Sequence, residues 1–221
     1  MTATLPLIRA AGLLPLILWM RRHNCDVEGL LRACRLPETV EADPNRLIPF
    51  ISAGRFASGL MEAEGPDVGA RAITDASAAE IAEIGAVVLR SATPREGFQR
   101  LVTAFSHMNT HVTFAVLRVP GGAALRHKYV VPLDAATRHI LHQTIAALIR
   151  AALGWTGGPG PRTTRIELTP HPEFGLDHLR PHFDGEIAPS ENGRLAVFVP
   201  DAALDRPFVH AGRDRPAPVR D

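Results

Sequence analysis

Three cationic side chains lie close together in a segment that has the pattern of a β-hairpin. Arg126 and Lys128 are two residues apart on the second predicted strand, so their side chains leave the same face of the sheet. Arg118, on the first predicted strand, is expected to join them across the hairpin. Cations that converge in this way bind a carboxylate or a phosphate. The spacing therefore predicts an anion site of these three residues, and the competing interpretation is an exposed polar face at the edge of a sheet.

A second group of arginines surrounds the expected start of a helix at Thr93. Arg90 and Arg95 lie on either side of this start, and Arg100 follows in the same helix. The first amides of a helix have no partner within it and attract anions. Arg90 and Arg95 are therefore further candidate ligand-binding residues, against the simpler interpretation of a solvated helix face. Because Lys128 is the only lysine among 24 cationic residues, arginine is the usual cation of this chain, and one arginine by itself is weak evidence for an anion site.

Ten histidines suggest a metal or haem site. His107 and His111 have the i, i+4 spacing of a helix, and His139 and His142 have the i, i+3 spacing. Neither pair has an evident third ligand, and the chain has no His-Glu-x-x-His or Cys-x-x-Cys motif. We therefore expect surface or capping histidines and no metal or cofactor, with a haem or metal sensor as the alternative.

Motifs that would nominate a catalytic residue are absent from the sequence. It has no Gly-x-Ser-x-Gly elbow, no phosphate-binding loop with Gly-Lys-Ser/Thr and no Gly-x-Gly-x-x-Gly after a strand. The sequence therefore predicts a protein that is not an enzyme.

Composition limits the classes of partner. The 221 residues carry a net charge of +1, so DNA or an anionic membrane would need a local patch of charge. Only Cys25 and Cys34 are present, which indicates reduced thiols and a cytoplasmic setting. The apolar segment from Leu5 to Met20 is interrupted by Arg9, and it predicts a buried amphipathic helix, bent at Pro15, with no membrane span.

The first half of the chain has the signals of successive helices. Asp26 caps the first, and Pro49 suits the first turn of the second. Two capping boxes follow, at Ser77 with Glu80 and at Thr93 with Glu96. We therefore expect a helical layer over residues 1–109.

After Asn109 the apolar period changes from that of a helix to that of a strand. Pro120-Gly121-Gly122 predicts the turn of a hairpin, and Asp134 caps a long helix that ends at Gly154. The predicted strands span 111–119, 125–131, 164–168 and 195–199. The order strand-strand-helix-strand-strand predicts an α+β fold, in which the helical half packs on a mostly antiparallel sheet over residues 110–205. Residues 209–221 are expected to form a flexible tail.

Several short motifs, in their order and spacing, resemble a known family. They span the chain from about Leu5 to Phe208 and are Asp43-Pro44, Ile48-Pro49, Gly65-x-Asp67-Val68-Gly69-Ala70-Arg71, Ile84-Gly85, Ser91-Ala92-Thr93-Pro94, the helix that ends near Gly154, the segment from Ile166 to His171-Pro172, and Phe183 to Asn192 followed by Leu195, Phe198 and Leu204. The whole resembles the N-terminal, arabinose-binding-like regulatory domain of AraC/XylS-type transcriptional regulators.

The resemblance implies a domain that senses a small molecule, helps to form a homodimer, or does both, and transmits its state to DNA-binding helix-turn-helix motifs. Two such motifs do not fit into residues 206–221, so we expect DNA contact only through a domain outside these 221 residues. The segment then either stops at a domain boundary or is a naturally shortened protein. If it is a sensor, the predicted arginine groups favour an anionic effector that bears a carboxylate or a phosphate, a class that includes nucleotide-like molecules.

The strand-helix order is also similar to that of haem-based nitric-oxide sensor domains. This similarity places a ligand between the helical half and the sheet, but it does not select the ligand. A haem or metal sensor and a dimerisation module without a ligand therefore stay open as alternatives.

Overall fold

The N-terminal region combines a small ribbon with short helices. A computed structural model describes residues 5–77, 80, 85–108, 111–160 and 162–209, with the main chain alone for 105–108. Strand β1 (Leu7–Arg9) leads through a 3-10 turn (Ala10–Leu13) into α1 (Leu14–Arg22) and α2 (Val27–Ala33). Strand β2 (Leu47–Pro49) pairs antiparallel with β1. The predicted single helix from Leu5 to Met20 is therefore wrong at its start, because its first residues pair as a strand and Pro15 lies in the first helical turn, where proline is tolerated.

Longer helices follow. They are α3 (Phe50–Glu64), α4 (Val68–Thr74), α5 (Ala86–Leu89) and α6 (Pro94–Met108). The predicted capping box at Ser77 is present, since the Glu80 carboxylate accepts from the Ser77 amide at 2.6 Å. The helix that was expected to continue from it falls largely on residues outside those described.

The second half builds a five-stranded sheet. Strands β3 (Val112–Val119) and β4 (Gly122–Tyr129) form the hairpin, and α7 (Ala135–Gly154) follows. The remaining elements, in chain order, are strand β5 (Arg165–Leu168), a 3-10 turn (Asp177–His182), β6 (Glu186–Pro189), β7 (Leu195–Pro200) and the short helix α8 (Asp201–Leu204). The sheet order is β3-β4-β7-β5-β6, and β5 with β6 is the parallel pair.

The predicted α+β fold with a mostly antiparallel sheet is confirmed. The β3–β4, β4–β7 and β5–β7 pairs are antiparallel. Strand β6 was not predicted, because its four residues lie between turn residues and include Pro189. Its parallel pairing with β5 makes the sheet mixed.

Helix α7 joins two hydrophobic cores. The Asp134 carboxylate accepts from the Thr137 amide at 2.7 Å and caps its start, as predicted. Near that end, Ile140 belongs to a core built by the N-terminal helices, with Trp19 and Phe56. Further along, Leu153 belongs to the core between the helices and the inner face of the sheet. The polar side chains at the junction of the two cores are thus positioned by α7.

No helix in the part of the chain that the structure describes is long and apolar enough to cross a bilayer.

Candidate functional site

The register of the hairpin separates the three cations that the sequence grouped together. Arg118 lies opposite Ala123, whereas Arg126 lies opposite Ala115. Because side chains alternate across a strand, Arg118 leaves the inner face of the sheet, and Arg126 and Lys128 leave the outer face. The predicted convergence of the three side chains is therefore wrong.

A one-residue difference in the turn explains this error. A turn of Pro120-Gly121-Gly122 would put Arg118 on the face of Arg126, but Gly122 is the first residue of β4 and pairs with Val119. The loop has two residues, and Gly121 takes its positive φ of 75°. A register shift of one residue moves a side chain to the other face. Gly122 is required there, since a Cβ atom at this position would lie 2.1 Å from the Val199 carbonyl oxygen.

A groove of about 460 Å³ brings Arg118 together with Arg95, which the sequence had placed in a different group. We call this site the groove, and it is lined by Arg95, Gln99, Val116, Arg118, Ala123, Asp201 and Asp205. Three elements form it, namely the first turns of α6, the hairpin and α8. The Asp201 amide donates to the Gly121 carbonyl at 2.9 Å and so fixes the start of α8 beside the hairpin turn.

Arg95 is held at the edge of the groove by two carboxylates. Its Nε and Nη2 atoms donate to Asp205 at 2.5 and 3.0 Å, and Nη2 also donates to Asp201 at 2.5 Å. Hydrogen bonding to Asp205 raises the pKa of Arg95, and the same bond lowers the pKa of Asp205. Arg95 thus ties α6 to α8, and its fork is already occupied by anions.

Hydrogen bonds and a proline fix the start of α6, which carries Arg95. Pro94 occupies the first helical position, the Glu96 amide donates to Thr93 at 3.4 Å, and the Glu96 carboxylate accepts from the Ala92 amide at 2.9 Å. This is close to the predicted capping box, displaced by one residue on the acidic side.

Arg118 has a different environment from Arg95. It is exposed on β3 and makes no hydrogen bond or ion pair within the described residues. The groove therefore carries two arginines and two aspartates, with the unpartnered cation on the hairpin side. Sequence reasoning missed Asp201 and Asp205, although their i, i+4 spacing after Pro200 signals one turn of helix with both carboxylates on one side.

The other predicted ligand residues lie on separate surfaces. Arg126 and Lys128 are exposed on the outer face of the sheet, and Arg90 is exposed at the end of α5. Arg100 pairs with Glu96 at 2.6 Å, one turn away on the same helix. The structure therefore does not bring the arginines around Thr93 to one point, and anion binding by Arg90, Arg126 and Lys128 stays a prediction.

Histidines on α7 and β4 form a buried polar layer at the junction of the two cores. We call His127, His139 and His142 the histidine layer, and each is at most 3% exposed. Burial lowers the pKa of His127 and of His142 to about 3 and that of His139 to about 4. The expectation of surface or capping histidines is wrong for the pair on α7, because the sequence spacing does not reveal which face of α7 is covered by the sheet.

Hydrogen bonds fix the tautomers of part of this layer. Nδ1 of His139 donates to the Thr169 carbonyl at 2.8 Å, so Nε2 of the neutral ring accepts from Nε2 of His178 at 2.9 Å. His127 Nδ1 and His142 Nε2 are buried and find no partner within the described part of the chain. The layer is thus neutral and incompletely bonded.

No group of three histidine, cysteine, aspartate or glutamate side chains is placed to hold a metal ion among the residues that the structure describes.

A second pocket, of about 450 Å³, was not predicted. Arg150, Arg162 and Asp184 line it with Gly158 and Gly160. The Asp184 carboxylate lies 3.5 Å from the Arg150 guanidinium and accepts from the Arg162 main-chain amide, so it neutralises part of the positive charge of the two arginines. Residue 161, next to Gly160 in the sequence, is outside the described residues, so the groove is the better-defined site.

Comparisons with known proteins agree with this architecture. Residues 25–208 match the family model described as the arabinose-binding domain of AraC transcription regulator, N-terminal. No curated protein sequence matches the chain.

Among solved structures, the fold is similar to that of the transcriptional regulator CdpR from Pseudomonas aeruginosa, with a TM-score of 0.56 and 14% sequence identity. The likeness covers 82% of this chain and 56% of that chain, so the present chain spans little more than half of its length. At this identity the likeness concerns the fold. The family match, over most of the chain, shows that the chain belongs to the family of N-terminal arabinose-binding domains of AraC-type transcription regulators.

Proposed function

We propose that this regulatory domain senses a small effector that bears a carboxylate or a phosphate, and that the groove binds it. The observation that carries the proposal is the position of Arg118, an arginine without a partner in the described residues, on the wall of a groove of about 460 Å³. A guanidinium donates two parallel hydrogen bonds to a carboxylate or phosphate, which gives both affinity and orientation. A nucleotide-like effector belongs to the same chemical class.

The groove also offers a route by which binding would reach the rest of a regulator. Arg95 ties α6 to α8, and α8 is followed by Phe208, whose amide donates to the Ala92 carbonyl at 3.2 Å, next to the start of α6. An effector bound at Arg118 would lie in the same groove as Arg95 and its two aspartates and would change the balance of charge around them. Its binding would therefore change how the end of the domain is held, which is the differential contact that coupling requires.

Thermal unfolding against small carboxylates, phosphates, amino acids, sugars and nucleotides tests the proposal. A ligand at a hundred times its dissociation constant adds about 2.7 kcal/mol, which raises the melting temperature by roughly 5 to 10 °C for a chain of this size. We expect the shift to vanish in Arg118→Gln. A shift that survives in Arg118→Gln and vanishes in Arg126→Gln would instead locate the site on the outer face of the sheet.

The remaining properties of the proposed regulator follow from its family. We propose a cytoplasmic homodimer that contacts DNA only through a separate domain. Sedimentation of the purified chain tests the dimer. Self-association without a shift from any ligand would favour a dimerisation module, and colour or bound metal in the purified protein would favour the haem or metal sensor.

A further inference from the structure

The groove carries two charged groups of opposite sign. One is Arg118 on β3, which has no hydrogen-bond or ion-pair partner in the described chain. The other is the acidic group, in which the guanidinium of Arg95 pairs with the carboxylates of Asp201 and Asp205. These three side chains carry a net charge of −1 at neutral pH, opposite to that of Arg118.

A simple anion uses only part of this arrangement. It would gain the attraction of Arg118, but it would also meet two carboxylates whose charge Arg95 neutralises only in part. A ligand that carries a positive charge as well as its anionic group would replace that repulsion by a second attraction.

The acidic group has room for a cation. The side chains of Asp201 and Asp205 are 55% and 54% exposed, despite their bonds to Arg95. Arg95 engages both oxygens of Asp205 but only Oδ1 of Asp201. Oδ2 of Asp201 therefore keeps acceptor positions that an ammonium group can use. Val116 and Ala123, beside Arg118 on the inner face of the hairpin, offer an apolar surface to the hydrocarbon part of a ligand.

We infer that the groove binds an amino carboxylate, with its carboxylate on Arg118 and its ammonium group on Asp201 and Asp205. This inference rests on the proposed function and narrows the effector from an anion to a zwitterion. Gln99 can accept from or donate to a further polar group of the ligand through its side-chain amide.

Isothermal titration calorimetry of the full 221-residue chain tests the inference. The probes are linear amino carboxylates of increasing length, from glycine to 6-aminohexanoate, each with its matched alkanoate and alkylamine. We expect one length to bind about tenfold or more tightly than either matched compound, because it alone makes both charged contacts.

Variants assign the two contacts. Arg118→Gln is expected to reduce the amino carboxylate to the affinity of the amine, and Asp201→Asn to reduce it to the affinity of the alkanoate. The exposed Arg32→Gln on α2 is the control, with unchanged affinity. If Asp201→Asn does not fold, Arg118→Gln decides alone, since Arg118 has no partner to lose among the residues that the structure describes.

The outcomes separate this inference from the proposed function. An alkanoate or inorganic phosphate that binds as tightly as the amino carboxylate, through Arg118, overturns the zwitterion and leaves the proposed anion sensor intact. An alkylamine that binds as tightly overturns it as well. If no compound of the series gives a heat of binding, the inference of an amino carboxylate is overturned. The proposed sensor function is overturned as well only if no sugar, nucleotide or acid in the thermal panel shifts the melting temperature.

Discussion

The histidine layer and the groove hold polar side chains in opposite environments. In the layer, His127, His139 and His142 are buried, and dehydration keeps their rings neutral. In the groove, Arg95 and its two aspartates stay charged, because each keeps contact with water and with an opposite charge. The difference indicates that the layer contributes to the stability of the fold, whereas the groove is free to exchange its partners for a ligand.

A fall in pH should give the largest difference between the histidine layer and the groove in their contribution to stability. In the unfolded chain a histidine binds a proton below a pKa of about 6.5, whereas the three rings of the layer resist protonation down to pH 3 or 4. The stability that they contribute is complete above pH 6.5 and is lost as the pH falls. Each ring loses about 1.4 kcal/mol per pH unit, so we expect the free energy of unfolding to fall by about 6 kcal/mol between pH 7 and pH 5.

Urea unfolding at pH 7, 6 and 5 measures this loss. His127→Leu removes one of the three rings and should reduce the slope with pH by about a third. Val130→Ala, at a residue that is 58% exposed, removes no titratable group and is the control, so it should leave the slope unchanged. A free energy of unfolding that stays constant from pH 7 to pH 5 would show that the rings are hydrated in the folded protein.

Packing at the junction of the two cores should give the next largest effect. At Gly69 in α4, an added Cβ atom would lie 2.6 Å from Thr144 Oγ1 and 2.9 Å from the Ile140 carbonyl oxygen of α7. We expect Gly69→Ala to lower the free energy of unfolding by about 1–3 kcal/mol, because the two helices must move apart. Gly12→Ala is the control, since the nearest atom there is 3.7 Å away. Equal melting temperatures of the two variants would contradict this close approach.

The sequence predicted those elements whose signals are local. Caps at Asp26 and Asp134 place the starts of α2 and α7 correctly, because the carboxylate bonds an amide three residues away in each helix. Strand β6 and the ribbon of β1 with β2 were missed, since three or four residues show no period of their own and are strands only through their partners.

The site was harder to predict than the fold for the same reason. Arg95 and Arg118 were both predicted as ligand-binding residues, but they line one groove only because the hairpin turn has two residues, Pro120 and Gly121. The sequence Pro120-Gly121-Gly122 is equally compatible with a turn of three residues, which would place Arg118 on the other face of the sheet. Asp201 and Asp205 come together with Arg95 from more than a hundred residues away. A pattern within one segment cannot predict contacts between residues so far apart in the sequence.

The cap of α7 should have a smaller effect than the packing of its buried face. Asp134 accepts from the amide and the hydroxyl of Thr137, at 2.7 and 2.6 Å. Removal of this carboxylate in Asp134→Ala leaves the Thr137 amide unbonded and takes one of two partners from its hydroxyl, which keeps Ser58 Oγ at 2.7 Å, and we expect a loss of about 1–2 kcal/mol in the free energy of unfolding. Asp26→Ala, at the cap of the seven-residue α2, should cost less, since its carboxylate bonds one amide. Urea unfolding of both variants at pH 7 gives the comparison, and an equal cost for the two would contradict it.

The groove should contribute least to stability, although it contains the densest cluster of charge. Asp201 and Asp205 are more than half exposed, so water and salt screen their attraction for Arg95. We expect Arg95→Met to lower the free energy of unfolding by about 0.5–1 kcal/mol at low salt, and by less at 1 M salt. Urea unfolding at both salt concentrations measures the change. A loss of several kcal/mol that does not respond to salt would mean that Arg95 is a structural clamp which no ligand displaces, and the contrast between a groove that exchanges partners and a layer that holds the fold would then fail.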